Sequence, residues 1–303
     1  MSRAALDTAI DDPVPARERR SIDWLFWIGV AIVSLVVVLA LFGPAIAPYD
    51  PTRAVAGVSL PPPPLLEWPG LLLATLTGSL EATPHWFGTD ASGFDIFSRV
   101  IAAPRIDLTI ALAANALSLA LGVSLGLVAG YYRNWATGLL MRASDVLQSF
   151  PVFISAMILV ALAGRSTVNI VIALALLYTP IYIRRTRSEV MSQKARGYVE
   201  AARAMGNSEA AIAFRHVLPN SLSPALIQSS VTIGFAILLT AGLSFVGAGV
   251  RPPTPEWGLM ISTGANQIIL GEWWASVFPG IAISLTVFGF AVLGNAMERR
   301  YDG

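Results

Sequence analysis

The chain has 303 residues, of which 55% are hydrophobic and only 13% are charged, and its formal net charge is +1. Because a typical soluble domain is roughly one quarter charged, this composition predicts an integral membrane protein. The small net charge gives no reason to expect a nucleic-acid partner. The chain has no cysteine, which excludes disulfides and thiolate metal sites, and its two histidines are too far apart in sequence to suggest a metal site.

Six apolar segments are long enough to cross a bilayer core of about 30 Å, which takes about 20 helical residues. The first is longer than the apolar region of a signal peptide, usually about 7–15 residues, so we expect a retained helix. The fold class that follows is an all-α integral membrane protein with six transmembrane helices. The predicted spans are residues 24–42, 108–130, 146–162, 168–183, 224–246 and 277–297.

The distribution of basic residues predicts the orientation. Fifteen of the 20 Lys and Arg fall on one side of the membrane if the N-terminus is cytoplasmic. Cytoplasmic loops carry an excess of these residues, so both termini are expected in the cytoplasm. The predicted division is a cytoplasmic tail (1–23), a first transmembrane helix (24–43), an outer segment (44–106), a five-helix core (107–297) with a polar loop (184–220), and a cytoplasmic C-terminus (298–303).

The polar loop 184–220 is predicted to lie in water, because each charge at mid-bilayer would cost about 2.5–3.5 kcal/mol. Its pattern indicates a helix that ends at Gly206 and a second helix that is capped by Asn207 or Ser208 and stopped by Pro219. A helix–turn–helix between two membrane spans has the shape of a docking element for a soluble partner.

Seven residues of this loop match a known motif: Glu200, Ala201, Ala202, Gly206, His216, Leu218 and Pro219. Their order and spacing resemble the cytoplasmic EAA loop of the permease subunits of bacterial ATP-binding cassette importers. His216 stands where the general motif has isoleucine, and that variant is similar to the peptide/nickel branch of these permeases. The resemblance implies that the loop inserts into a groove of an ATPase subunit.

The likeness extends over residues 86–297, although Phe94 stands where relatives commonly have arginine, so no ion pair is carried over to it. Relatives usually have a shorter outer segment, so the resemblance says little about residues 53–83. There, the run 61–64 favours a polyproline conformation. The apolar stretch 71–76 is too short to span. It is expected at the membrane surface, on the outer mouth, or in a partly ordered loop.

The resemblance implies the fold and activity of a type I importer permease, which takes up peptides or similar small solutes by ATP-driven, binding-protein-dependent transport. Nickel chelates and glutathione are alternative substrates, and a channel or membrane scaffold is an alternative of another class. The implied partners are a second permease subunit as a heterodimer, two ATPase subunits and an extracytoplasmic binding protein in the bacterial inner membrane. ATP and Mg would bind the ATPases, because the lone Lys194 fits no phosphate-binding loop.

The predicted span interiors contain no ionisable residue, which favours transport driven from outside the membrane and gives no sign of an enzyme. Small and polar residues are frequent there instead, and they either line a polar pathway or allow close packing of helices. The candidates for the pathway are Asn115, Ser118, Gln228, Ser229 and Thr232.

Overall fold

The structure, a computed structural model, describes residues 24–55, 57–79, 83–132 and 134–302, and the side chains up to residue 300. The predicted cytoplasmic tail 1–23 lies outside the described residues. The thirteen α-helices of the described part are α1 (Trp24–Ile46), α2 (Trp68–Leu76), α3 (Ile96–Ala102), α4 (Pro104–Tyr131), α5 (Trp135–Ser149), α6 (Val152–Ala163), α7 (Thr167–Lys194), α8 (Gly197–Ala204), α9 (Glu209–Ala211), α10 (Leu218–Ser221), α11 (Ser223–Phe245), α12 (Trp257–Ala265) and α13 (Trp274–Asp302).

Among the described residues, five helical segments can cross a membrane by length and composition: α1, α3 with α4, α7, α11 and α13. Helices α5 and α6 meet at a bend of 95° and give a sixth span if the bent pair is counted as one. The all-α membrane fold is thereby confirmed. The predicted third span, 146–162, ran across the bend, which the sequence analysis missed. Phe150 is extended there (φ −95°, ψ 145°), because the residue before a proline is disfavoured in a helix.

Helix α7 is longer than the fourth predicted span. It continues for 11 residues beyond position 183 and ends at Lys194, so the first third of the predicted polar loop is helical. Arg184 pairs with Asp145 of α5 at 2.5 Å, and Arg185 lies 3.9 Å from Glu298 of α13. These half-exposed ion pairs link α7 to α5 and α13.

The most extensive helix contact lies between α4 and α7. Gly122, Gly126 and Gly130 follow one another at intervals of four residues and face α7. A Cβ atom built on these glycines would lie between 2.2 and 2.8 Å from the nearest side-chain Cβ of α7. The backbones therefore approach so closely that only glycine fits, as in other small-residue helix interfaces in membranes.

The predicted outer segment is fastened to the N-terminal ends of α3 and α13. Thr89 donates its N–H to the carbonyl of Leu60 (2.9 Å) and accepts a bond from Nε1 of Trp274 (2.9 Å). Asp95 caps α3 by accepting from the backbone N–H of Ser98 and also contacts Nδ1 of His85 at 2.8 Å. These bonds hold segment 58–60 beside the N-terminus of α13.

Phe94, the departure from the family pattern, has a partner of its own. The guanidinium of Arg99 lies 4.6 Å from the centre of the Phe94 ring. Arg99 also donates to the carbonyls of Pro51 (3.1 Å) and Pro253 (3.2 Å). Phe94 therefore makes a cation–π contact with Arg99, in place of any ion pair that an arginine at this position would form.

Candidate coupling site and polar helix interface

We call residues 197–221 the docking element. Its first helix, α8, ends two residues before Gly206, close to the predicted break, and Gly206 adopts a left-handed conformation (φ +83°). Ser208 accepts from the N–H of Ala211 (3.3 Å) and caps α9, while Asn207 donates its side chain to the carbonyl of Ala202 (2.9 Å). Of the two predicted caps, Ser208 is the one confirmed.

The prediction that Pro219 stops the second helix was wrong. Residues 212–217 form a wide helical turn of π type, and α10 follows from Leu218 without a break. Pro219 is the second residue of α10 and directly follows this wide turn, so the helical path continues past the proline. The helical path therefore runs almost directly from the docking element into α11.

One face of the docking element is packed against the body of the protein. Its buried residues form a single apolar cluster with the ends of α4 and α7. The members are Val199, Ala202, Ile212, Ala213 and Val217 from the docking element, with Leu127, Tyr131 and Val190 from the two long helices. This packing ties the element to α4 and α7, the helix pair that meets at Gly122, Gly126 and Gly130, which we call the glycine seam.

A set of polar contacts closes the Gly206 turn and fixes it to α4. Arg203 binds Glu209 through two bonds, from Nε (2.6 Å) and Nη2 (3.1 Å). The hydroxyl of Tyr131 donates to the same carboxylate, and Nζ of Lys194 donates to the Tyr131 carbonyl (2.6 Å). The Arg203 guanidinium, with help from Tyr131, holds the pKa of Glu209 at about 2, so this carboxylate is charged at neutral pH.

The sequence analysis missed Tyr131, Arg203 and Glu209. The signal available was the pair of opposite charges six positions apart on either side of Gly206. Nothing in the sequence indicated Tyr131, which lies 78 positions from Glu209.

The other face of the docking element is exposed. Glu200 and Ala201 point outward, and two large apolar side chains lie on the same segment, Met205 (75% exposed) and Phe214 (61% exposed). The remaining motif residues divide between core and surface: Ala202 is buried, His216 and Leu218 are half-buried, and Gly206 and Pro219 are exposed. Exposed apolar groups in a charged, helical element are typical of a protein-binding surface.

The five candidate pathway residues lie on α4 and α11, and three of them, Asn115, Ser118 and Thr232, are buried. Tyr182 of α7, also buried, donates to Oδ1 of Asn115 and lies 3.3 Å from the Ser229 hydroxyl. These contacts connect α4, α7 and α11 through polar groups inside the subunit.

The remaining polar contacts stay within single helices. Ser118 donates to the Asn115 carbonyl, and Thr232 donates to the Gln228 carbonyl, each at 3.0 Å. Gln228 and Ser229 are half-buried. Gln228 also lines a cavity of about 440 Å³ between α7, α11 and α13, together with Arg185, Glu189 and Glu298.

An acidic pair lies at the opposite end of the molecule. Asp107 was placed just outside the second predicted span, but α4 begins at Pro104, so Asp107 lies within the helix and is buried. Its Oδ2 lies 3.4 Å from the N–H of Trp257, and its carboxyl group interacts with that of Glu256. Glu256, also buried, caps α12 through the N–H groups of Gly258 and Leu259, and burial raises its pKa.

The docking element, the glycine seam and the span pattern can be set against known families. Residues 122–303 match the family described as binding-protein-dependent transport system inner membrane component. The chain belongs to this family. Residues 23–63 also match a second family, described as the N-terminal TM domain of oligopeptide transport permease C.

Similar proteins include permeases of named transport systems. The di/tripeptide transport system permease protein of Pseudomonas aeruginosa is 37% identical over 274 residues, which are 90% of this chain and 86% of the relative. The dipeptide permease of Alkalihalophilus pseudofirmus is 35% identical over 280 residues (91% and 84%). The glutathione permease of Pectobacterium atrosepticum is 38% identical over 221 residues (73% of each).

Family membership determines the general role of this inner-membrane transport component. It is a multi-span membrane subunit of a bacterial ATP-binding cassette transport system, which works with an ATPase and a binding protein, and it is not an enzyme. The location that follows is the bacterial inner membrane.

Proposed function

We propose that this chain is the permease subunit of an ATP-driven importer of peptides or similar small solutes. The observation that carries the proposal is the docking element, which packs on α4 and α7 with one face and exposes Glu200, Met205 and Phe214 on the other. Relatives named for di- and tripeptide transport favour peptides, and those named for glutathione favour a small peptide-like solute.

The contacts suggest how movement passes through the subunit. The docking element binds an ATPase, and closure of the paired ATPases on ATP and Mg displaces the element. The Glu209 contacts and the apolar cluster make α4 and α7 move with it. The Asn115–Tyr182–Ser229 contacts transmit the movement to α11, and the pathway opens alternately to the two sides. ATP and Mg bind the ATPases and not this chain.

The polar interface has two roles in this proposal. Gln228 and Ser229, which are half-buried, line the solute pathway on the inner side. Asn115, Ser118 and Thr232 are the next shell of polar groups, reached by solute or water only when the helices separate. In the closed arrangement they hold α4 and α11 in register.

The arrangement in the membrane follows from the positive-inside bias. The docking element and both termini face the cytoplasm, and the outer segment faces the binding protein. A second permease chain completes the pathway, because one bundle of about six helices leaves the pathway open to lipid on one side. We propose a heterodimer of permeases with two ATPases.

The docking role is tested by reversing the charge of Glu200. Glu200→Lys should insert normally but lose the co-purifying ATPase and ATP-dependent uptake. Glu272→Lys, a charge reversal near the outer end of α13, is the matched control and should keep both. Full uptake by Glu200→Lys would contradict the docking role.

The transport class and substrate are tested by uptake into cells that express the complete system. Labelled dipeptide should accumulate in competition with tripeptide, and accumulation should stop when the phosphate-binding lysine of the ATPase is replaced. Uptake that persists without ATP hydrolysis would indicate a channel. Uptake of glutathione or a nickel chelate, with no competition by dipeptides, would indicate an alternative substrate.

The orientation is tested with single cysteines, which can be introduced cleanly because the chain has none. Ser192→Cys should react only with reagents on the cytoplasmic side and Thr254→Cys only with reagents outside. Outer labelling at position 192 would contradict the orientation.

A further inference from the structure

Helix α2, in the outer segment, exposes apolar side chains in one stripe. With the short turn before it, it presents Leu65, Leu66, Leu72, Leu73 and Leu76, which are between 53% and 95% exposed. Its opposite face is apolar as well, since Leu71 and Ala74 are half-buried there, and the helix carries no charge. A helix that is apolar on all sides is not stable against water and needs a cover.

The position of α2 indicates what covers it. Trp68, its first residue, lies 6.3 Å from the Phe87 ring, and Phe87 stacks on Phe278 at 4.0 Å. Phe278 lies in the first turns of α13, a membrane span, so this stack holds α2 at the level where α13 enters the bilayer.

The residues around this level have the composition of a membrane boundary. Four of the eight tryptophans meet there: Trp68 and Trp86 are in contact at 5.8 Å, and Trp273 and Trp274 at 6.2 Å. The indoles of Trp68 and Trp274 each donate to a backbone carbonyl, at 3.0 and 2.9 Å. Tryptophan is enriched where a membrane meets water, because its ring is apolar and its N–H is polar.

A second exposed apolar turn precedes α13. Ile269 is 90% exposed and Leu270 is 77% exposed, only four to five residues before the start of the helix. The exposed faces of α13 itself continue below this level with Ile281 and Leu285. The apolar surface of α2 therefore lies at the same depth as the start of the lipid-facing surface of α13.

We propose that α2 is an interfacial helix that inserts its leucine stripe into the lipid of the outer leaflet. Nine residues are too few to cross the bilayer, so the helix lies along the surface. A helix docked in this way buries its apolar face roughly 5–10 Å into the headgroup and acyl boundary. The partner of this surface is thus the lipid bilayer itself, and α2 fixes the outer end of α13 to the membrane.

The proposal is tested by lipid-borne quenchers. The full complex carrying the single cysteine Leu73→Cys is labelled with a small fluorophore and reconstituted in nanodiscs, with and without phosphatidylcholine that bears a nitroxide near the headgroup. The nitroxide lipid should quench this label several-fold more than a label at Arg53→Cys, whose side chain is 82% exposed in the same outer segment. A water-soluble quencher should show the reverse order.

Other results would overturn the proposal. If both labels respond equally to the lipid-borne quencher, α2 does not enter lipid. If the Leu73→Cys label is shielded from the water-soluble quencher only after the binding protein is added, the stripe is a docking surface for that protein. If it is shielded without quenching by lipid, a second permease covers it. Leu76→Cys, 77% exposed, repeats the measurement should Leu73→Cys not assemble.

Discussion

The glycines of α4 and the glycine of the docking element have opposite surroundings. A Cβ on Gly122 would lie 2.2 Å from the Cβ of Tyr182, although Gly122 has ordinary helical backbone angles. Around Gly206 a Cβ would meet nothing within 4 Å, but the backbone has φ +83°. The seam needs glycine because no space is left, whereas the docking element needs it because of its backbone conformation. The same substitution should therefore damage stability in one region and coupling in the other.

The largest effect is expected at the seam. Gly122→Ala forces apart α4 and α7 or displaces Tyr182, which bridges to Asn115 and Ser229. Overpacking of this kind costs about 1–3 kcal/mol, and sometimes more. Thermal unfolding of the purified complex should show a clear fall in Tm. The control is Gly138→Ala in α5, where a Cβ meets nothing within 4 Å, and it should stabilise by up to about 1 kcal/mol. Equal Tm values for the two variants would show that α4 and α7 do not approach closely enough at Gly122 to require glycine.

A smaller loss of stability, but a full loss of coupling, is expected at Gly206. A left-handed conformation costs a residue with a side chain roughly 1–2 kcal/mol, and it is least tolerated by β-branched residues. Gly206→Val should remain in the membrane and lose ATP-dependent uptake. Gly206→Asn should retain most of it, because asparagine adopts this conformation more readily. Equal uptake by both variants would show that the turn conformation is not required.

The ion pair that closes the turn gives a third test. Arg203→Glu should reduce solute uptake per ATP hydrolysed, because the turn is no longer fixed to α4. Adding Glu209→Arg restores the pair with reversed charges and should recover part of the coupling. The recovery should be incomplete, since Tyr131 then loses its acceptor. Failure of the double variant to exceed both single variants would argue against a role for the pair.

This pair should be insensitive to pH in the physiological range. The pKa of Glu209 is lowered from 4.5 to about 2, so its stabilising contribution is present above pH 4.5 and is lost as the pH falls through about 2. Solute uptake per ATP hydrolysed should therefore show the same pH dependence around neutral pH in the unchanged protein and in Glu209→Gln.

The smallest effect is expected at the buried acidic pair. Burial raises the pKa of Glu256 above 4.5, so its contribution is fully present below pH 4.5 and is lost as the pH rises through the raised pKa. Asp107→Asn removes one carboxyl group and supplies an amide that can donate to Glu256. The fall of Tm with rising pH should become shallower. A Tm profile identical to that of the unchanged protein would contradict this account.

The sequence by itself determined the membrane class, most of the spans and the break at Gly206. Runs of apolar residues report directly which segments avoid water, and a left-handed turn selects glycine at one position. The EAA-type motif also marked the segment that we propose as the docking element, since its residues are close together along the chain. The seven motif residues lie within 20 positions, from 200 to 219.

Only the tertiary structure decided where helices end and which polar groups meet. Hydropathy marks the edge of the apolar layer, but helix hydrogen bonds continue into water, so α7 extends past position 183 to Lys194. Pro219 was expected to stop a helix and instead lies in the first turn of one. Tyr131 and Glu209 are 78 positions apart, and Asn115 and Tyr182 are 67 apart. Such pairs are joined by the packing of separate helices, and no local pattern in the sequence encodes that packing.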